Sequence, residues 1–211
     1  MKLTNEDRFF IRQTIIEFFL YAIVATIPFL AIAVDLFYFD NIINEESVVE
    51  GLQDVFIIIT IGLFSYNAKR FPQLRQGFVL MAGFFLCILI RESDNIFDRL
   101  TGHGSWFYFA ITAAIICIGY ALTNRQATFD ALVLFIKSRE YAAFLGGLVI
   151  VFISSRLLGT GSIWKHILQE GYVITAKHIV EEGSELFGYA IMCISVWTFN
   201  RKLTTSLKLE K

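Results

Sequence analysis

His178, Glu181, Glu182, Glu185 and Tyr189 lie at i, i+3, i+4, i+7 and i+11 in the stretch HIVEEGSELFGY. On a helix turning ~100° per residue they share one face. An imidazole and carboxylates on one face suit two kinds of chemistry. His178 and Glu182, one turn apart, can bind one divalent metal ion, with Glu181 beside them. Glu185, deeper in the segment, can take a proton as a general base. Tyr189 completes the stripe, with its hydroxyl in position to donate to Glu185.

Two other stretches carry groups of the same kind. Glu46, Glu50, Gln53 and Asp54, at i, i+4, i+7 and i+8, open one apolar block. Arg91, Glu92 and Asp94 close another. Glu50 and Glu92 are candidates to complete or bridge a metal site, and Asp54, Gln53 and Asp94 to line the same pocket. Arg91 would hold a phosphate or stabilise developing negative charge. His103, between Gly102 and Gly104, sits in a loop within possible reach. Helix-bundle sites for two metals usually carry Glu-x-x-His on two helices. Here His-x-x-Glu occurs once, and HExxH is absent. The same residues also fit a water-accessible polar rim, in which Arg91 pairs with Glu50, Glu92 or Glu185 to set helix register.

The elements that must position these groups are membrane helices. Of 211 residues, 56% are hydrophobic and 22 are Phe, while 18% are charged. Soluble domains carry about 25% charged residues, and here the apolar residues come in long blocks. The expected fold is all-α: a polytopic integral membrane helical bundle forming a single domain, residues 1–211. Six transmembrane helices are expected at about 14–34, 50–66, 77–98, 106–122, 141–158 and 182–199, from the ~20 apolar residues needed per crossing. Surface helices are expected at about 127–138 and 162–177, where apolar residues recur at intervals of three and four. With both termini cytoplasmic, 13 Lys and Arg fall inside and 5 outside, as the positive-inside rule asks. All three histidines and 13 of the 19 acids then fall outside.

A carboxylate at the centre of a membrane helix costs about 2.5–3.5 kcal/mol, so these acids need partners. Convergence of the three stripes at one depth would provide them. Cys87, Cys117 and Cys193 lie in apolar blocks without CxxC spacing and read as packing residues. A net charge of −1 offers no field for nucleic acid. Arg156 and Lys177 read as side chains reaching for headgroups. The expectation is therefore a metal-dependent membrane enzyme (zinc, iron or manganese) in a bacterial inner membrane. Its ligand would be a lipid or a small membrane-soluble molecule, and a homo-oligomer is compatible with the sequence. The alternatives are a proton- or cation-coupled transporter subunit and a structural or ligand-sensing subunit.

Overall fold

A computed structural model describes residues 4–38, 47–169 and 174–209; Asp40, Glu45, Glu46 and Glu170 lie outside the described residues. The described residues form helices joined by short turns, without strands.

Helix α1 (Asn5–Tyr38) begins with a reciprocal cap: Thr4 Oγ1 accepts from the Asp7 amide, and Asp7 accepts from the Thr4 amide. This is a capping box with Asp in the Glu position. Helix α2 (Val48–Arg70) has its first amides satisfied from two sides. Ser47 accepts from Glu50 N at 3.2 Å, and Asp35, near the end of α1, accepts from Val48 N at 2.8 Å and Val49 N at 3.1 Å. Three of the four free amides of a helix start are thus met. Pro72 then opens a 3-10 turn (Pro72–Leu74), a position where its missing N–H costs nothing.

Helix α3 (Arg75–Glu92) stops short of the span expected to run to residue 98. The backbone turns at Ser93, and a separate α4 (Asp94–Thr101) follows, with a high density of polar groups. Gly102 and Gly104 adopt φ of +104° and +79°, the left-handed region that glycine tolerates. Helix α5 (Trp106–Leu122) meets α6 (Arg125–Ile136) at a bend of 104°. Asn124 caps α6, and the Thr128 hydroxyl donates to Ala121 O at 2.8 Å across the bend. The segment expected along the membrane surface, α6, instead packs Ala127, Thr128, Ala131 and Phe135 inward. Gly77 of α3 admits it: a Cβ there would lie 2.7 Å from Thr128 O.

Helix α7 (Tyr141–Val149), a π-helical segment (Ile150–Ser154) and α8 (Ser155–Leu158) form one continuous rod. Then come α9 (Gly161–Leu168) and the long α10 (Ile174–Leu209). Among the described residues, four segments are long and apolar enough to cross a membrane: 7–38, 48–70, 72–92 and 141–158. They become five if the bent α5–α6 pair counts as one. Helix α10, 36 residues long, is not among them. Its carboxylates and its run of Ser, Thr and Asn lower its hydropathy, because it is an interior helix rather than a lipid-facing one.

Helix α10 packs on α1, α2, α7, the π segment, α8 and α9, while α2 joins it to α3, and α3 carries α5 and α6. Four phenylalanines from four helices interlock in the core. Phe64, Phe85, Phe135 and Phe144 have neighbouring ring centroids 5.0–6.1 Å apart, the range in which edge-to-face contacts add to burial. Outward faces of α1 and α5 expose Phe18, Phe19, Ile115 and Ile116, as helices against lipid do.

At the α7–α10 crossing, a Cβ on Gly147 would sit 2.8 Å from Gly188 O, and one on Gly188 would sit 2.9 Å from Gly147 O. Close backbone approach is what small residues give membrane helices. Gly146, the next residue, has nothing within 4 Å of that position. Gly147→Ala should therefore lower stability by about 1–3 kcal/mol through overpacking, and Gly146→Ala should be neutral. Thermal unfolding in detergent measures both, and equal effects would show that the crossing does not depend on contact at Gly147.

Candidate functional site: an acid-rich cavity at one end of the bundle

Successive long helices run antiparallel, so the end of α1, the start of α2, the end of α3 and the start of α5 lie at the same end of the bundle. The end of α8 and the start of α10 join them. The polar stripes of α2, α3 and α10 meet there, as the sequence led us to expect. They enclose a cavity of about 500 Å³ whose lining includes Glu50, Asp54, Glu92, Asp94, Glu182 and Glu185. Arg91, Arg156, Gln53 and Trp106 also face it.

Each carboxylate on α10 has a distinct set of partners. Glu185, only 2% exposed, lies 2.8 Å from Arg156 Nη2 and accepts from the Ser155 hydroxyl at 3.1 Å. Glu181 lies 3.3 Å from Arg156 Nη1 and 3.1 Å from Lys177 Nζ. Glu182 accepts from Gln53 Nε2 at 3.1 Å, and the same amide donates to the Glu182 carbonyl at 3.1 Å. On α3, Glu92 accepts the Tyr189 hydroxyl at 2.7 Å and lies 3.2 Å from Arg91. Both guanidiniums keep an outward side: Arg91 and Arg156 are 37% and 45% exposed.

Several residues differ from their expected places. Tyr189 donates to Glu92, not Glu185. Its hydroxyl reaches across from α10 to the end of α3. His178 is half-buried on α10 but does not line the cavity. Its expected co-ligand Glu182 turns to Gln53 instead. His103 is fully exposed and pairs with Asp98 at 2.7 Å, closing its own loop. Arg156 and Lys177, expected to reach for headgroups, turn inward to the carboxylates. No pattern in the sequence marked Arg156 for this site. It follows the π segment, whose wider turn resets the direction of every later side chain. Among the described residues, no three His, Cys, Asp or Glu side chains are grouped so as to hold a metal ion.

The cavity carries six acids against two guanidiniums. The charge of Glu92 reaches Asp54, Glu182 and Glu185, so these groups repel one another across the cavity. Asp54 and Asp94 have no hydrogen bond or ion pair among the described residues. At the far end of the bundle the charges are instead balanced. Lys202 binds Glu17 at 2.8 Å and also Glu140, and Arg139 lies 3.7 Å from Glu17. Glu17 is thus paired with cations from α10 and from the segment before α7. The chain matches no protein-family model, no curated protein and no solved structure.

The acid excess can be separated from the scaffold. Tyr189→Phe removes a hydrogen bond to a charged group and should destabilise by about 1.5–3 kcal/mol. Asp54→Asn removes repulsion and should leave thermal stability unchanged or raise it. A loss in Asp54→Asn as large as that in Tyr189→Phe would make the acid excess a structural requirement.

Proposed function

We propose that this chain is an integral membrane protein whose cavity binds a small group carrying both a positive ammonium and a phosphate, at the outer membrane interface. The observation that carries this reading is the composition of the cavity wall: two part-exposed guanidiniums within an excess of carboxylates. A guanidinium recognises phosphate through directed N–H donors. Asp54 and Asp94, carboxylates with no hydrogen bond or ion pair among the described residues, recognise ammonium. A simple anion would be repelled by six acids, and a simple cation would have no use for Arg91. The positive-inside count favours a six-span arrangement that puts this end of the bundle outside, facing the periplasm if the membrane is a bacterial inner membrane. Glu185, held by Arg156 and Ser155, is then the candidate base for any reaction at the bound group.

A divalent metal is a second reading, favoured by the reach of Glu92's charge to three other carboxylates. An ion among them would relieve that repulsion, and zinc, iron or manganese would supply a Lewis acid. Glu50, Glu92 and Glu182 are the candidate ligands, and side chains would turn to bring three oxygens to one ion.

Titration of purified protein with glycerophosphoethanolamine tests the first reading. Binding is expected. Arg91→Gln and Asp54→Asn should each weaken it roughly ten- to hundredfold, the equivalent of one charge-assisted hydrogen bond of about 1.5–3 kcal/mol. Equal affinity for glycerophosphate, which lacks the amine, would sink the ammonium half of the reading. Elemental mass spectrometry tests the second. It expects stoichiometric metal that is lost in Glu92→Gln and in Glu182→Gln, and metal-free folded protein would remove it.

A further inference from the structure

Among the described residues Glu185 has one cationic partner, and it shares that partner. Arg156 turns Nη2 to Glu185 at 2.8 Å and Nη1 to Glu181 at 3.3 Å. Glu181 has a second cation, Lys177 at 3.1 Å, whereas Glu185 has only the one. The same Oε1 of Glu185 that meets Arg156 also lies 3.1 Å from Ser155 Oγ. Glu185 and Ser155 are buried, while the guanidinium that serves them is part-exposed and lines the cavity.

The serine contact decides what Oε1 can do without Arg156. At the π segment the Ser155 amide donates to Ile150 O, five residues back. In an α-helix that amide would go to Val151 O, four residues back. The Ser155 hydroxyl takes the place of the amide and donates to Val151 O at 2.5 Å. A backbone carbonyl left unmet inside a bilayer is costly, and this bond is shorter than the contact to Glu185. A hydroxyl has one proton and two acceptor lone pairs. With its proton on Val151 O, Ser155 offers Glu185 an acceptor. An acceptor there serves a protonated carboxyl, whose O–H can donate to it. Oε1 therefore has a partner placed for each of its states: Arg156 for the carboxylate and Ser155 Oγ for the acid.

No other cation stands ready to replace Arg156 among the described residues around the cavity. From α3, Glu92 and Arg91 act on Glu185, and from its own helix Glu182 does. Glu50 and Asp54 of α2 and Asp94 of α4 line the same cavity. Arg91 is held by Glu92 at 3.2 Å, and Asp35 of α1 is taken by the α2 amides. An anion brought to Arg156 leaves the Glu185 carboxylate facing further negative charge. A proton is the counter-charge that needs no room beside a buried side chain.

We propose that Arg156 and a proton are alternative partners of Glu185, so that a phosphate drawn to Arg156 brings one proton into the cavity with it. This rests on the reading of the cavity as a phosphate-binding site and adds a coupled ion to it. The proton leaves a buffer acid or hydronium, crosses the cavity and forms an O–H bond at Oε1, and no bond in the ligand breaks. The guanidinium keeps its charge and turns it to the phosphate.

Calorimetric titration of the full-length protein with glycerophosphoethanolamine at pH 8, in buffers of different ionisation enthalpy, counts the protons. Uptake close to one proton per ligand is expected, and Glu185→Gln should abolish it. Infrared difference spectra should show a carboxylic-acid carbonyl band that appears with the ligand and is missing in Glu185→Gln. In Arg156→Gln the band should be present before any ligand is added and absent from Arg156→Gln/Glu185→Gln. Where Arg156→Gln does not fold at pH 8 it should fold at pH 6, because a neutral Glu185 needs no cation; failure at both, with the double variant folded, overturns the exchange. Binding heat that is independent of the buffer, or proton uptake that survives in Glu185→Gln, overturns it as well. If glycerophosphoethanolamine does not bind at all, the phosphate reading fails by itself. The band in Arg156→Gln then decides the exchange: its presence upholds the two alternative partners, and its absence overturns them.

Discussion

The carboxylate of Glu185 sits at 2% exposure in the wall of the polar cavity. An ionised carboxylate in such a place is unfavourable by several kcal/mol unless it is both paired and hydrogen-bonded. Arg156 supplies the charge, and the Ser155 hydroxyl, which also donates to Val151 O, lies 3.1 Å from the carboxylate. Both lie directly after the π segment Ile150–Ser154, and an uninterrupted α-helix would aim them elsewhere. The pairing also needs the α7–α8 rod to lie close against α10, which the facing Gly147 and Gly188 permit. One buried charge thus fixes the register of one helix, the spacing of two, and the sequence at their crossing.

The same requirement recurs around the cavity with different answers. Glu182 is met by the Gln53 amide, Glu92 by Tyr189 and Arg91, and Glu181 by Arg156 and Lys177. The links from Gln53 to Glu182, from Tyr189 to Glu92 and from Arg156 to Glu181 cross between helices distant in sequence, so these three double as ties between elements. Asp35 does this for backbone rather than charge, capping α2 from the end of α1. Because consecutive long helices reverse direction, the ends that need such ties are gathered at one end of the bundle. The opposite end is tied by Lys202 to Glu17 and Glu140. Between the two polar ends lies the interlocked phenylalanine core.

Periodicity carries the parts of this arrangement that the sequence makes legible. Stripes on α2, α3 and α10 could be read because carboxylates stand out in apolar blocks, and helix reversal put them at one depth. Long-range choices of partner were not legible. Tyr189 had Glu185 one turn away in sequence, yet Glu92 is the closer oxygen in space. Arg156 sat at the end of an apolar block, where an arginine normally reaches for headgroups, and no local pattern announces a π turn before it. His178 fell on the right face of α10 but above the cavity, since a helical stripe fixes direction and not depth. The break at Ser93 and the inward packing of α6 depend on tertiary contacts, such as Gly77 against Thr128, that leave no periodic trace.

The surplus of acid is where stability and function part. Pairing explains Glu181, Glu182, Glu185 and Glu92, but Asp54 adds negative charge that Glu92 opposes and gains no partner among the described residues. A group that costs stability and ties nothing together is the kind that function retains. The apolar groove between α3 and α5, lined by residues such as Leu86 and Ile116, cannot be weighed in the same way. Inside a bilayer a chain entering it exchanges one hydrocarbon contact for another, and lipid tails are as apolar as leucine side chains, so the groove adds shape selection but little binding energy. Any discrimination among ligands would then rest with the polar cavity, where desolvated charges make a mismatched polar group expensive.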